Sequence, residues 1–385
     1  MTAGKTLLGA IINIKKGSYI TKKEATEGPY PVILGGQEPA YYIDKYNHTG
    51  RAIVISRSGA SAGYVSRWNE PIFVTDGFLI EPKETVDFDY LYYLLKLHQP
   101  QLQGLQGGAA IPHVNPRIIN AIEVVCPSID EQTAIAGILS KYDALIANNQ
   151  KQIKLLEEAA QRLYKEWFVD LRFPGYEDTP IVDGVPEGWS YKPLSALFNF
   201  VRGKSYTSKE LSDTRGVLMV NLKNIRAFGG YNRNAEKRFT GKYKDEQALY
   251  PGDLVMGVTD MTQERRLVGH TAIVPDLGEP MTFSMDLIKL VPLSIQKSYL
   301  YSSLYYGGYS FKISPLANGV NVLHLKPEAM MNLQMLVPTG ELMDAYGKVF
   351  DPIQSRIELL QKQIDAAAES RDRLLPKLMS GEIEV

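Results

Sequence analysis

The sequence contains part of itself twice. Offset by 211 residues, Gln150-Lys151-Gln152-Ile153 falls on Gln361-Lys362-Gln363-Ile364. With no gap, the same offset pairs Gly108 with Gly319, His113 with His324, Pro116 with Pro327 and Pro127 with Pro338. It also pairs Glu158 with Glu369, Arg162 with Arg373 and Leu163 with Leu374. A gapless match over roughly sixty residues is an internal repeat, so the chain should fold as two related halves.

Each copy carries a long helical pattern. In the first, apolar positions fall at Ile135, Leu139, Tyr142, Ile146, Ile153, Leu156, Ala160, Leu163 and Trp167, with Asn149 the polar exception. In the second they fall at Tyr346, Phe350, Ile353, Ile357, Leu360, Ile364, Ala367, Leu374 and Leu378, with Arg371 the exception. Steps alternating between four and three give a 3.5-residue period, the signature of a coiled-coil seam. Two amphipathic helices, each packed on its own domain, are the alternative. The helices are expected to begin near residues 142 and 353. Pro352 and Pro376 lack a backbone N–H and should mark a first turn or an end, not a helix interior.

A chain of 385 residues is long enough for two or three domains with ample core. Its net charge of −1 gives no global attraction to polyanions, so such binding must come from local patches. The single Cys126 cannot form an internal disulfide and, in an apolar run, reads as a buried structural thiol suited to a reducing cytoplasm. The apolar run Leu7–Ile14 is too short to span a membrane and reads as a first helix or strand. Ile53-Val54-Ile55 and Ile72-Phe73-Val74 read as strands and Tyr90–Leu97 as a helix. Gly35-Gly36, Gly59, Gly63, Gly104 and Gly107-Gly108 mark loops.

Residues 174–188 are a linker rich in Pro, Gly and acids. Beyond it the first domain returns in looser form. Leu194, Leu197, Phe200 and Gly203 echo Leu8, Ile11, Ile14 and Gly17. Asp253–Met256 stands where Arg51–Val54 stood. Asp286 and Pro292 match Asp76 and Pro82, and Tyr299-Leu300-Tyr301 matches Tyr90-Leu91-Tyr92. The order is therefore domain, helix, domain, helix: an α+β chain of two mixed α/β domains whose loops have diverged further than the helices. Residues 189–340 carry 18 Lys and Arg against 12 Asp and Glu, much of the excess lying between Arg202 and Lys244 with Tyr206, Asn221, Asn224, Tyr231, Asn232 and Asn234 interleaved. Arg and Lys neutralise phosphates and read guanine, and Asn reads adenine, so a DNA partner fits; a solvated basic face is the alternative. The first domain is weaker: Lys15, Lys16, Tyr19, Lys22, Lys23, Arg51, Arg57 and Arg67 are spread among acids.

Chemistry of the chain's own is hard to find. There is no phosphate loop, no Gly-x-Gly-x-x-Gly and no Asn-Pro-Pro-aromatic tetrad of amino-methyltransferases. Five histidines and one cysteine are too scattered for a metal site. Asp76 followed by Glu81-Pro82-Lys83 resembles a nuclease pattern, but Pro82 favours a strand end. His113 and His324 recur at equivalent places, which suggests a buried scaffold role.

Trp167-Phe168-Val169-Asp170-Leu171-Arg172-Phe173-Pro174, then Val185-Pro186-Glu187-Gly188-Trp189, then Arg373–Ile383 resemble the specificity subunit of type I restriction–modification systems. Pro127–Leu139, with Asp130-Glu131-Gln132, is similar to that family's start of its central helix. The first domain lacks the Pro-x-Gly-Trp motif found at 186–189, a departure at its edge. The resemblance implies two target-recognition domains, residues 1–126 and 189–338, separated by two long antiparallel coiled-coil helices in a pseudo-twofold repeat. The spacer regions are then 127–173 and 339–385, with 174–188 the linker. Each domain would bind one half of a split, asymmetric site on double-stranded DNA. Helices of about 27 residues span roughly 40 Å, against about 34 Å for one DNA turn, so the half-sites should lie about one turn apart.

The resemblance further implies a non-catalytic, cytoplasmic subunit without cofactor. Two methyltransferase subunits would dock on it, bring S-adenosylmethionine and flip the target adenine; two motor–nuclease subunits can join them, and no membrane is involved. Spacer packing carries over to Ile146, Ile153, Leu156 and Leu163 against Ile357, Leu360, Ile364 and Leu374. Base readers do not carry over, because the family varies them. Chemistry alone nominates Lys15, Lys16, Tyr19, Arg57 and Ser58 in the first domain. In the second it nominates Lys204, Tyr206, Asn224, Arg226, Arg265 and Arg266. Two other classes fit the residues less well: a coiled-coil protein scaffold without DNA readout, and a stand-alone DNA enzyme with an unrecognised site.

Overall fold

The computed structural model describes residues 4–21, 23, 25–104, 113–233 and 237–385. Lys22, Gly107, Gly108 and Asn234, singled out above, lie outside the described residues. The chain divides into two compact units, residues 1–149 with 363–385 and residues 150–362.

The first unit opens with β1 (Gly4–Leu7), α1 (Leu8–Ile11) and β2 (Ile12–Lys16), then β3 (Tyr30–Ile33), β4 (Tyr41–Ile43) and β5 (Ala52–Ser56). It continues with β6 (Val65–Trp68), β7 (Phe73–Val74), β8 (Gly77–Pro82), α2 (Phe88–Leu97), α3 (Gln99–Gly104), α4 (Pro116–Asn120) and β9 (Glu123–Cys126). Two sheets, ordered β2-β8-β5-β6 and β4-β3-β7, form its body, and β1 pairs with β9. Strand β5 is central and buried throughout, which is why Ile53-Val54-Ile55 is continuously apolar. The run Leu7–Ile14 is thus neither one helix nor one strand: it crosses a strand end, a single helical turn and a second strand. Helix α5 (Ile129–Tyr164) sends Ile135, Ala136 and Leu139 into this core.

The second unit repeats the plan. A small hairpin, β10 (Ile181–Val182) and β11 (Val185–Pro186), occupies the linker. Then come β12 (Ser190–Pro193), α6 (Leu194–Leu197), β13 (Phe198–Arg202), β14 (Leu211–Ser212), β15 (Val217–Val220), β16 (Arg238–Phe239) and β17 (Ala248–Leu249). They are followed by β18 (Leu254–Gly257), β19 (Thr259–Asp260), β20 (Thr271–Ile273), β21 (Met281–Phe283), β22 (Leu287–Pro292), α7 (Lys297–Tyr305) and α8 (Tyr309–Ile313). Strands β23 (Leu323–His324) and β24 (Gln334–Val337) lead into α9 (Gly340–Ser380). Sheet β13-β22-β18-β20 matches β2-β8-β5-β6, and the pair β12-β24 matches β1-β9. Buried Tyr90 and Tyr299 each donate a hydroxyl hydrogen bond to matching carbonyls, Val125 at 3.0 Å and Leu336 at 2.7 Å.

Strand register corrects one alignment. Ile53 pairs with Ile80 and Leu254 with Leu290, so Leu254 stands where Ile53 stands, one residue away from the sequence expectation for Asp253–Met256. A slip of one residue would send every side chain to the wrong face. The offset between the domains grows from 186 at Ile12/Phe198 to 201 at Ile53/Leu254 and 210 at Ile80/Leu290. The second domain's extra residues therefore fall in two stretches, before β18 and between β18 and β22.

The helices also differ from expectation. They are 36 and 41 residues long and begin well before residues 142 and 353. Pro352 and Pro376 both lie inside α9. An interior proline costs a helix about 3 kcal/mol, and burial on both sides offsets it: Tyr346, Phe350 and Leu360 around Pro352, Leu378 and Met379 after Pro376. Within each unit the two helices run antiparallel. Asp143 meets Arg371 and Asn149 meets Gln363 in the first; Gln152 meets Arg356 and Tyr164 meets Tyr346 in the second. Of the expected seam, Leu360 and Ile364 are buried, while Ile146, Ile153, Leu156, Leu163, Ile357 and Leu374 are half-buried. Asn149, the polar exception, is buried and donates to Gln363 at 3.2 Å.

After Tyr164 the helix widens into a π turn, Lys165–Val169, closed by the Asp170 N–H on the Lys165 carbonyl at 2.8 Å. The wider turn swings Phe168 inward against Tyr299 (4.7 Å between ring centres), Tyr346 (4.9 Å) and Trp189 (6.0 Å). The short motifs at 167–174 and 186–189 are thus the aromatic anchor of the helices in the second domain.

Candidate DNA interface

In the first domain the tight turn Thr75-Asp76-Gly77 joins β7 to β8. The Gly17 N–H donates to the Gly77 carbonyl and the Ser18 N–H to the Val74 carbonyl, both at 3.0 Å. A Cβ on Gly17 would lie 2.5 Å from the Val74 oxygen, so only glycine lets the chain pass this close. Asp76 accepts from the Ser58 hydroxyl and sits 2.8 Å from Arg57 Nε. The Val114 N–H donates to the Arg57 carbonyl at 2.9 Å, and Ser58 pairs with His113.

The second domain rebuilds this turn at Ser284-Met285-Asp286. The Gly203 N–H reaches the Leu287 carbonyl at 3.2 Å, and a Cβ there would lie 1.9 Å from the Ser284 oxygen. Asp286 accepts from Thr259 Oγ1 at 3.1 Å, the Leu325 N–H donates to the Val258 carbonyl at 2.8 Å, and Thr259 pairs with His324. Ser58, Asp76 and His113 thus correspond to Thr259, Asp286 and His324. Val258 replaces Arg57, so Asp286 keeps the hydroxyl partner without an arginine. Both histidines are exposed, contrary to the expected burial: the backbone makes the scaffold, and the rings face solvent.

Around the first turn the structure gathers Lys16, Tyr19, Arg57 and Ser58, with Tyr19 85% exposed. Lys15 points to the other face of β2 and pairs with Glu81 at 2.7 Å. The nuclease-like residues are committed elsewhere: Asp76 holds Arg57 and Ser58, Glu81 holds Lys15, and Lys83 donates to the Ala10 carbonyl at 2.8 Å. Cys126 is half-buried, not buried, with its thiol pushed up by burial.

Around the second turn stand Lys204 and Tyr206, the latter with Lys237 6.0 Å above its ring. Arg265 and Arg266 belong to the loop after β19. Buried Asp260 ties that loop down, accepting from the Thr262 N–H and hydroxyl at 2.8 Å and from the Leu267 N–H at 2.6 Å. Burial alone would raise its carboxyl; these donors hold it below the usual carboxylate range. Arg265 has φ +53°, a left-handed conformation that costs a non-glycine residue about 1 kcal/mol. Arg266 is exposed beside Glu264, and its carbonyl accepts from the Phe228 N–H at 2.7 Å.

Two candidates stand apart. Asn224 is buried, and its amide is used within its own loop, accepting from Asn221 and donating to the Asn232 carbonyl at 3.0 Å. It cannot read adenine in this arrangement; the interleaved asparagines build a turn. Arg226 faces a cavity of about 280 Å³ lined by Glu157, Tyr301, Tyr305, Tyr306 and Glu358. There burial pushes the Glu157 carboxyl up, and Arg226 pulls it back.

Sequence reasoning missed three residues near the second turn: Met261, Met285 and Val320, 78%, 57% and 88% exposed. Gln263 Nε2 donates to the Val320 carbonyl at 2.8 Å and ties two of these loops together. No periodicity marks them, because exposed apolar side chains in irregular loops follow none. Among the described residues no group of His, Cys, Asp or Glu is placed to hold a metal, and no helix is long and apolar enough to cross a membrane.

Residues 5–158 match the family model described as the type I restriction modification DNA specificity domain. The match covers the first domain and most of α5. The chain is similar to the MjaIX specificity subunit of Methanocaldococcus jannaschii, at 26% identity over 95% of this chain and 87% of that one. It is also similar to the MjaVIII specificity subunit of the same organism, at 25% identity over 98% and 92%. Among solved structures it shares its fold with the type I restriction–modification S subunit from M. genitalium, with TM-score 0.63, 19% identity and coverage of 98% and 96%.

If the loop after β19 faces DNA, Arg265→Ala with Arg266→Ala should weaken DNA binding about ten-fold or more. Equal affinity would rule this loop out as a DNA contact. A pH dependence is also expected. His270 is buried between Phe228 and Phe311, and burial holds its imidazole below the ordinary value near 6.5. The unfolded chain therefore binds the proton more readily, so the stabilising contribution is full above about pH 6.5 and is lost as pH falls below it. Thermal melts should show a lower melting temperature at pH 5.5 than at 7.5, with the dependence reduced in His270→Phe.

Proposed function

We propose that the chain reads a bipartite, asymmetric site on double-stranded DNA, one half per domain, and positions adenine methyltransferase subunits over it. The observation that carries this reading is the doubled turn. Asp76 with Ser58 and Asp286 with Thr259 are the same scaffold, bordered by unlike loops. One scaffold with two loop sets suits two readers of different sequence. The residues proposed to face DNA are Lys16, Tyr19, Arg57 and Ser58 in the first domain and Lys204, Tyr206, Arg265 and Arg266 in the second. The proposed recognition domains are residues 1–126 and 189–338, with 127–173 and 339–385 as spacer regions and 174–188 as linker.

Helix α5, at 36 residues, is about 54 Å long. A stiff element longer than one DNA turn of about 34 Å makes binding depend on the distance between half-sites. Tethering two weak readers multiplies affinity through effective concentration, but only where both can engage at once. Methylation would be done by docked subunits carrying S-adenosylmethionine, and motor–nuclease subunits would join for restriction. A cytoplasmic location fits a partner that is genomic DNA.

Co-expression with the neighbouring methyltransferase in a host lacking such marks, followed by genome-wide mapping of methylated adenines, tests the reading. The expected result is one split motif with a fixed gap. Replacing residues 189–338 with another family member's domain should change one half only. A continuous motif, or a change in both halves, would contradict it.

A further inference from the structure

In the first unit, a single carboxylate gathers three elements. Asp143 lies on α5. Its Oδ2 accepts from Tyr93 of α2 at 2.6 Å and from Arg67 of β6 at 3.0 Å. Its Oδ1 accepts from Arg371 of α9 at 2.7 Å. Both long helices and the first domain's body therefore meet on one side chain, only 17% exposed. Arg67 stacks over the Tyr92 ring at 4.3 Å and also reaches Asp89 at 2.9 Å, so its place is fixed on two further sides. Burial and the bond to Asp143 push the Tyr93 hydroxyl well above its ordinary range, which keeps it a donor.

The second unit has no such hub among its described residues. The repeat puts Gln354 where Asp143 stands and Ala160 where Arg371 stands. Ser302 takes the place of Tyr93 and accepts from the Tyr346 hydroxyl at 2.8 Å. There packed rings around Phe168 and Tyr346 hold the helices, together with hydroxyl bonds from Tyr346 and from Tyr164, which donates to Ser303 at 3.3 Å. The second domain adds ion pairs to α9, Arg233 with Glu358 and Lys362 with Asp276, both at 2.6 Å, but each carboxylate serves one basic partner, where Asp143 serves three elements at once.

We infer that Asp143 is a positioning residue that sets which half-site spacing the protein accepts. It does so by holding the first domain at a fixed angle on the helix pair through Arg67, Tyr93 and Arg371. This rests on the two-reader function proposed above. One base pair more or less in the gap turns the far half-site by about 35° and moves it about 3.4 Å along the axis. To follow, the first domain must swing on the helices. Bonds of 2.6–3.0 Å from three elements to one carboxylate cannot survive such a swing together.

The test uses the whole chain in complex with its methyltransferase subunits, carrying Asp143→Asn or, separately, Arg371→Gln. Both variants should fold. Arg67 keeps Asp89 in each, and an amide in place of the Asp143 carboxylate leaves the side chain's size unchanged. Melting curves of each complex run alongside. Genome-wide mapping of methylated adenines is the readout. The expected result is unchanged sequence in both halves, with methylation at gaps one base pair longer or shorter rising about ten-fold over wild type, the factor matched to one charged hydrogen bond. Methylation confined to the wild-type gap, whatever the melting temperature, would overturn the inference. So would loss of methylation at every gap, which would make the hub a requirement of folding or assembly alone. If the wild-type complex itself marks no split motif, the two-reader reading fails first.

Discussion

Everything in this molecule depends on helices whose ends are buried in cores. Helix α5 contributes Ile135 and Leu139 to the first domain and Ala160, Tyr164 and Phe168, through its π turn, to the second. Helix α9 does the converse with Tyr346 and Phe350 at one end and Leu378 and Met379 at the other. A helix in water with no such anchorage frays from its ends. Burying large apolar side chains, each worth about 1.5–3 kcal/mol, fixes both termini. That burial also explains why two prolines are tolerated inside α9.

The internal repeat separates what is constrained from what is free. Close contacts are shared by both copies: glycine at 17 and 203, a hydroxyl-bound aspartate at 76 and 286, and tyrosine at 90 and 299. The difference in length is confined to loops. The second domain is longer before β18, where its basic run lies, and again between β18 and β22, where Arg265 and Arg266 lie. Extra length in the loops that border the shared turn is what divergence of a reading surface, on a common scaffold, should look like. The helix attachments diverged as well, ionic at Asp143 and aromatic at Phe168.

Much of this is legible in the sequence. The repeat, the helices, the central strand Ile53–Ile55 and the α+β class follow from periodicity and self-similarity. The rest is not, for identifiable reasons. The pattern puts the helix starts too late because Ile135 and Leu139 serve a domain core as well as the helical stripe, and Pro352 argues against a helix that tertiary packing supports. Asn224 resembles a base reader because residue type does not reveal that an amide is consumed in its own turn. His113 and His324 suggest burial because equivalent position does not distinguish a backbone role from a side-chain one. Arg226 turns toward the Glu157 cavity for reasons only the fold supplies.

The central claim is that the helices act as a ruler between two readers. Inserting one heptad into each helix, after Asn149 and before Gln363, tests it most directly. Seven residues add about 10.5 Å, or about three base pairs of DNA at 3.4 Å each. The account predicts that the mapped methylation motif keeps both half-sites and gains about three base pairs of gap. An unchanged gap, in a complex that still methylates DNA, would contradict it.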